Sequence, residues 1–328
     1  MLMMTTLTIS CGKLVVDTTP ETGSANNCYC ITENGYYVDG SLLKIKTAPA
    51  TDSPVVIVIM PDGFTRNELS EGGVFEQRAR QACDALFEYE PIKSLKDYIE
   101  VNIRFYASYE SGVSLPNRKV NTYFGVNRSY DQYLAYDCNI PVVYQCLETV
   151  PGKHTNKIAL ILVNETKDMA VSYFGFWEDG SVSSFCIIPA FCPEEKDFRY
   201  CVLHECAGHC IGGLTDEYVT FDDEIPEEER AQRGKMQKAG LYQNISFSKE
   251  NAPWNKFIGL EGYENVSYFE GADQWSKGIY RSEENSIMRT RIMYFNAISR
   301  ENIYKRIMTL TGNSYTWENF LEFDKKIR

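Results

Sequence analysis

The sequence predicts an α/β fold in which apolar strands alternate with helices. Three observations carry that prediction. PVVIVIM (54–60) and KIALILV (157–163) are near-continuous apolar runs rich in β-branched residues, the pattern of strands buried on both faces. Between them Phe75, Ala79, Ala82 and Leu86 recur at helical spacing. VNIRFYA (101–107) then alternates, with Val101, Ile103 and Phe105 on one face. Elements of two kinds in alternation are those of packed layers.

Taken in order, residues 1–50 are rich in Thr, Gly, Asn and Ser and are expected to form an N-terminal extension. Its first residues, MLMMTTLTISC with Gly12 after them, resemble a bacterial lipoprotein leader in which Cys11 becomes the lipidated start of the mature chain. That resemblance implies an extracytoplasmic, secreted or cell-surface protein attached to a membrane through Cys11. Asp39-Gly40 inside GYYVDGSLLKIKT predicts a hairpin. The strand at 54–60 ends at Pro61-Asp62-Gly63, and SSFCIIPAF (183–191) is a third strand, either an edge on which an extended peptide could pair or an ordinary core strand. Pro193, Glu194 and Glu195 suit the first turn of a helix that ends at Gly212-Gly213. DDEIPEEER (222–230) reads as a solvated loop and helix start, and Ser299 as the cap of a helix with Ile303, Ile307 and Leu310 on one face and Gly312 beyond it. With no repeat and no linker after residue 50, residues 51–328 are read as one domain.

Composition narrows the function. Acidic residues outnumber basic ones 45 to 33, a net charge of −12 with no basic run, so the electrostatic footprint of nucleic-acid binding is absent. No apolar stretch approaches the roughly 20 residues that span a bilayer. The eleven cysteines form neither an even framework nor repeated zinc-type pairs, and they do not fix the compartment.

The chemistry concentrates in HECAGH (204–209). Two of only three histidines in the chain flank one helical turn beside a glutamate, and neutral imidazoles are common zinc ligands. Their spacing is unusual. In the H-E-x-x-H helix the histidines stand four apart, about 40° from each other around the axis, whereas five residues of regular α-helix separate them by about 140°. A π-turn at Cys206 to Gly208 absorbs the extra residue, and Gly208, lacking a Cβ, eases the distortion. Beyond Gly212-Gly213, Asp216 is the favoured third ligand, with Glu217 the alternative and a histidine-orienting role open to either. A closed structural zinc held with Cys201, Cys206 and Cys210 is the rival. It is disfavoured because Cys206 stands about 200° around a regular helix from His204.

HECAGHCIGGLTDEY resembles the active-site segment of the IgA-peptidase family of zinc metallopeptidases, as do IVIMPDGFT (57–65), YASYESGVS (106–114), YRSEENSIMR (280–289) and FNAISRENIYKRI (295–307). The resemblance implies a zincin-like metallopeptidase domain with a mixed sheet, an active-site helix and a methionine turn, acting on a protein or peptide substrate. It implies His204, His209 and Asp216 as ligands of Zn2+, Glu205 as general base and Met288 as the methionine beneath the metal. Tyr218, Tyr280 and Arg281 are candidates for meeting the oxyanion. A catalytically inactive, peptidase-like surface binding protein is the alternative, against which the retention of Glu205 counts.

Overall fold

The structure, a computed structural model, describes residues 32–128, 136–167 and 169–328. The expected leader, with Cys11, lies outside the described residues. Strands β1 (Thr32–Glu33) and β2 (Tyr36–Tyr37) form a small hairpin across Asn34-Gly35, both at positive φ. This is the turn chemistry that Asn-Gly favours. The Asp39-Gly40 turn also forms, with Gly40 at φ 83°. It does not close a hairpin, because strand β3 (Leu42–Lys46) pairs elsewhere. There follow β4 (Val55–Asp62), helix α1 (Val74–Leu86), the short α2 (Ile92–Leu95), and β5 (Ile99–Arg104), the antiparallel partner of β3. Part of the expected extension is thus a strand of the main sheet.

The chain then gives β6 (Asn127–Arg128), β7 (Tyr136–Asp137), α3 (Ile140–Glu148), β8 (Lys157–Val163), β9 (Val171–Phe176) and β10 (Val182–Pro189). A six-stranded sheet of order β3-β5-β4-β8-β10-β9 results. Strands β4, β8 and β10 are parallel, and both edges are antiparallel. Every residue of β4 and β8 is buried, as the apolar runs require. One face, with Val56, Val58, Met60, Ala159 and Ile161, packs with Val143 and Leu147 of α3. Of the two readings of SSFCIIPAF, the core strand holds and the edge is corrected: β10 has β8 on one side and β9 on the other, so neither side is open to a peptide.

The rest of the chain comprises α4 (Glu195–Cys201), a π-helix at Val202–Ile211, β11 (Val219–Glu224), α5 (Glu227–Lys238), β12 (Ile245–Ser246), β13 (Phe269–Ala272), β14 (Gln274–Arg281), α6 (Ala297–Leu310) and α7 (Trp317–Ile327). Strand β14 is the hub of a second sheet, with β11 parallel to it and β12 and β13 antiparallel. The acidic stretch is not simply loop: Asp222, Asp223 and Glu224 end β11, and Glu227 to Glu229 form the first turn of α5, where they complement the helix dipole. The fold is therefore mixed α/β with a mixed multistrand sheet.

Two compact units emerge. The first takes in the described chain up to Thr47, Val56–Arg80 and Glu100–Phe191; the second takes in Ala48–Val55, Gln81–Ile99 and Cys192–Arg328. In the second, a buried bidentate pair joins α6 to α7, with Arg300 Nε 2.6 Å and Nη2 2.9 Å from the two carboxylate oxygens of Asp324.

The cap of α6 is Asn296 and not Ser299. Asn296 Oδ1 accepts from the Ser299 backbone N–H at 3.0 Å, while its Nδ2 donates to Glu217. Both residue types cap helices; here the Asn296 amide accepts at the cap through one atom and donates to Glu217 through the other. Asn296→Ala should therefore cost about 2–4 kcal/mol in urea denaturation, a lost cap plus a lost hydrogen bond to a buried carboxylate. Ser299→Ala should be neutral or slightly stabilising, because its buried hydroxyl has no hydrogen-bond partner among the described residues.

Candidate metal centre

The residues singled out in HECAGH lie on one continuous helical run. After α4, the backbone adopts π geometry through all of Val202–Ile211, longer than the single bulge expected at Cys206 to Gly208. The Gly212 N–H donates to Ala207 O, an i→i+5 bond, at 2.9 Å. The wider turn brings His204 and His209 to one face, their Nε2 atoms 3.2 Å apart. Gly213, at φ 63°, then turns the chain so that Leu214 O accepts from His209 Nδ1 at 2.8 Å. Asp216 follows, its Oδ1 3.0 Å from His204 Nε2 and 3.4 Å from His209 Nε2.

Gly208 has a second role besides easing the helix. A Cβ there would lie 2.5 Å from Met288 Sδ. Met288 thus packs directly on the turn that carries both histidines.

The protonation pattern follows from the partners. His204 Nδ1 lies 3.0 Å from Ile287 O, and His209 Nδ1 faces Leu214 O. A carbonyl oxygen only accepts, so each Nδ1 carries the hydrogen and each neutral imidazole turns a bare Nε2 inward. With both imidazoles neutral, two nitrogen lone pairs and a carboxylate oxygen face one another at 3.0–3.4 Å. That is repulsive unless a cation sits between. Four-coordinate zinc, with ligands at about 2.0–2.2 Å, sets neighbouring ligand atoms about 3.3 Å apart. The donor set and its spacing fit a metal ion.

Electrostatics agree. Burial opposes protonation of His209, but the charge of Asp216 outweighs it and lifts the imidazole pKa well above its ordinary value. Burial would raise Asp216, yet the two imidazoles hold it well below the usual carboxylate range. The pocket draws positive charge, as a proton or as a metal.

Glu205 Oε2 stands 4.0 Å from His209 Nε2, farther than Asp216. His204, Glu205 and His209 offer ligand atoms that all lie within 4.8 Å of one another, and Asp216 Oδ1 lies nearer to His209 Nε2 than Glu205 does. No such gathering of Cys201, Cys206 and Cys210 occurs. Cys206 and Cys210 are simply buried in the helix.

Glu217 turns away from the imidazoles. Its carboxylate accepts from Ser286 Oγ at 2.6 Å, from Asn244 Nδ2 at 3.0 Å and from Asn296 Nδ2 at 3.1 Å, and its N–H donates to Met288 O at 2.7 Å. Burial raises its pKa against the pull of these donors. Of the oxyanion candidates, Tyr218 stands near Asp216, whose charge, followed by burial, raises its pKa. Arg281 is committed to the carbonyls of Glu270 and Glu284. The Tyr280 ring lies beneath Lys249. Sequence reasoning missed Tyr200, whose hydroxyl is 3.0 Å from His204 Nδ1. Its position four residues before His204 was the available signal.

A sequence profile of the family described as IgA Peptidase M64 matches residues 43–262. The chain belongs to that family. The match covers about two thirds of the chain and includes HECAGH through Asp216; Met288 lies beyond it. No curated protein matches the chain. Membership in the IgA Peptidase M64 family places the protein among metallopeptidases, for which a metal and a protein or peptide substrate are implied.

Asp216 and Glu217 should separate cleanly in this family member. Asp216→Ala should abolish stoichiometric zinc, read by metal analysis, while the fold persists. Glu217→Ala strands the buried donors of Ser286, Asn244 and Asn296 and should cost about 3–5 kcal/mol of stability. Zinc lost equally from both at unchanged stability would contradict these roles. A pH test follows from His209. Its raised folded-state pKa contributes stability to the metal-free protein that is fully present below about 6.5 and is lost as pH rises towards about 10. The melting temperature in chelator should fall across that window, and zinc should remove the fall.

Proposed function

We propose that the protein is a zinc-dependent peptidase with a zincin-like domain, in which His204, His209 and Asp216 hold the metal and Glu205 is the general base. The observation that carries this reading is the trio of inward lone pairs at metal-ligand spacing, beside a carboxylate set slightly farther out. When bound, zinc supplies Lewis acidity to the scissile carbonyl and to the attacking water.

The chain's own residues divide the remaining work. Glu205, next to the first histidine and 7% exposed, is placed to take the proton of the water and deliver it to the departing amine. Ile287 O and Leu214 O fix the imidazole tautomers that leave Nε2 free to bind. Met288, packed on Gly208, is the methionine beneath the metal in this reading, and Glu217 and Ser286 hold its turn. Tyr218, near enough to Asp216 to feel its charge, is a better candidate than Tyr280 or Arg281 to approach a substrate oxygen. An extracytoplasmic location with membrane attachment through Cys11 belongs to the proposal and rests on the leader sequence.

The test is Glu205→Gln in zinc-loaded protein. Zinc should stay at one per chain while peptide-library cleavage, read by mass spectrometry, falls at least about a thousandfold. Loss of zinc would make Glu205 a ligand and overturn the assignment. Zinc affinity should fall steadily as pH drops below about 10, because a proton on the metal-free His209 imidazole competes with the metal, and activity should be lost once the metal is released.

A further inference from the structure

Strand β11 begins at Val219, three residues after Asp216. It has one neighbour, β14, and stands at the end of its sheet. Its other edge pairs with no strand among the described residues, so its outward N–H and C=O groups are a template for a further strand. Val219 is 40% exposed, and Thr220, Asp222, Asp223 and Glu224 are exposed as well. Open edges invite self-pairing, which like charges oppose. Here the charges are all negative. Asp222, Asp223 and Glu224 are followed by Glu227, Glu228 and Glu229; Arg230 approaches Glu224 (3.7 Å) and Glu227 (3.6 Å), and Arg233 pairs with Glu229, so that Asp222, Asp223 and Glu228 form no ion pair among the described residues. Such an edge repels a second copy of itself and attracts an extended chain of opposite sign.

We infer that the free edge of β11 is the rail on which an extended peptide bearing Lys or Arg pairs as an added strand; this rests on the peptidase reading for its occupant. Backbone pairing there supplies affinity, and the acidic end supplies preference. At about 3.3 Å per residue, Asp222 to Glu224 lie about 20–26 Å of extended chain from Asp216. The basic side chains are therefore read about six to eight residues from the bond at the metal, and short peptides miss them.

The test measures docking apart from turnover. Zinc-loaded Glu205→Gln protein is titrated against a fluorescein-labelled peptide of Lys, Thr and Val, about twelve residues long, followed by anisotropy. Asp223→Lys should weaken binding at least about tenfold, as should replacing the peptide's Lys by Glu. Peptides N-methylated at one amide each should lose about fivefold or more at alternate positions only, since every second amide faces the edge. Affinity indifferent to Asp223→Lys, or N-methyl losses without alternation, would overturn the inference. So would an Asp223→Lys protein whose peptide affinity is unchanged while its sedimentation shifts, because the edge would then join two copies. Wild-type protein that binds with the expected pattern and cleaves nothing would leave the rail standing and overturn the peptidase reading. Cleavage that ignores both changes would do the reverse.

Discussion

Three acceptor atoms face each other across 3.0–3.4 Å, and the rest of the second unit is arranged so that they must. Isolated in a buried site, two imidazole lone pairs and a carboxylate oxygen repel. The imidazoles are kept in place because each has its other side committed, His204 to Ile287 O and His209 to Leu214 O. A cation resolves the conflict and turns strain into affinity. In its absence a proton on His209 does so partly, as the raised pKa of that imidazole indicates.

The unusual helix is the backbone consequence. A regular helix would point His204 and His209 about 140° apart. The π geometry of Val202–Ile211 closes that angle, and extended π-helix is rare enough to need external support. Met288 supplies it from one side by packing on Gly208. Glu217 supplies it indirectly: one buried carboxylate gathers Ser286, Asn244 and Asn296, tying the methionine segment, the loop before β12 and the cap of α6 together. The two adjacent acids therefore do different work. Asp216 faces the imidazoles and Glu217 braces what lies around them.

Local chemistry was legible in the sequence. The five-residue spacing in HECAGH demanded a wider helical turn, and the apolar runs at 54–60 and 157–163 required strands buried on both faces. Less legible was whatever depended on distant neighbours. SSFCIIPAF resembles an edge strand as well as an interior one, and only its pairing with β9 decides. Asn296 and Ser299 are both capping types, three residues apart; the choice falls to Asn296 because Glu217, 79 positions away, engages its amide. Gly208 was read as a concession to backbone strain, whereas the Met288 side chain explains why nothing larger fits. The hairpin signal lay in Asn34-Gly35, a stronger turn pair than the Asp39-Gly40 chosen, and the partner of β3 comes from beyond α1.

The most direct test of the π-turned imidazole pair is X-ray absorption at the zinc edge of protein loaded with one equivalent of metal. Two imidazoles and one or two light oxygen ligands at about 2.0–2.2 Å, with no sulfur, are expected. A sulfur shell at about 2.3 Å would place a cysteine of the same helix on the metal, and a single imidazole would mean that His204 and His209 do not share it. Either result would contradict the account.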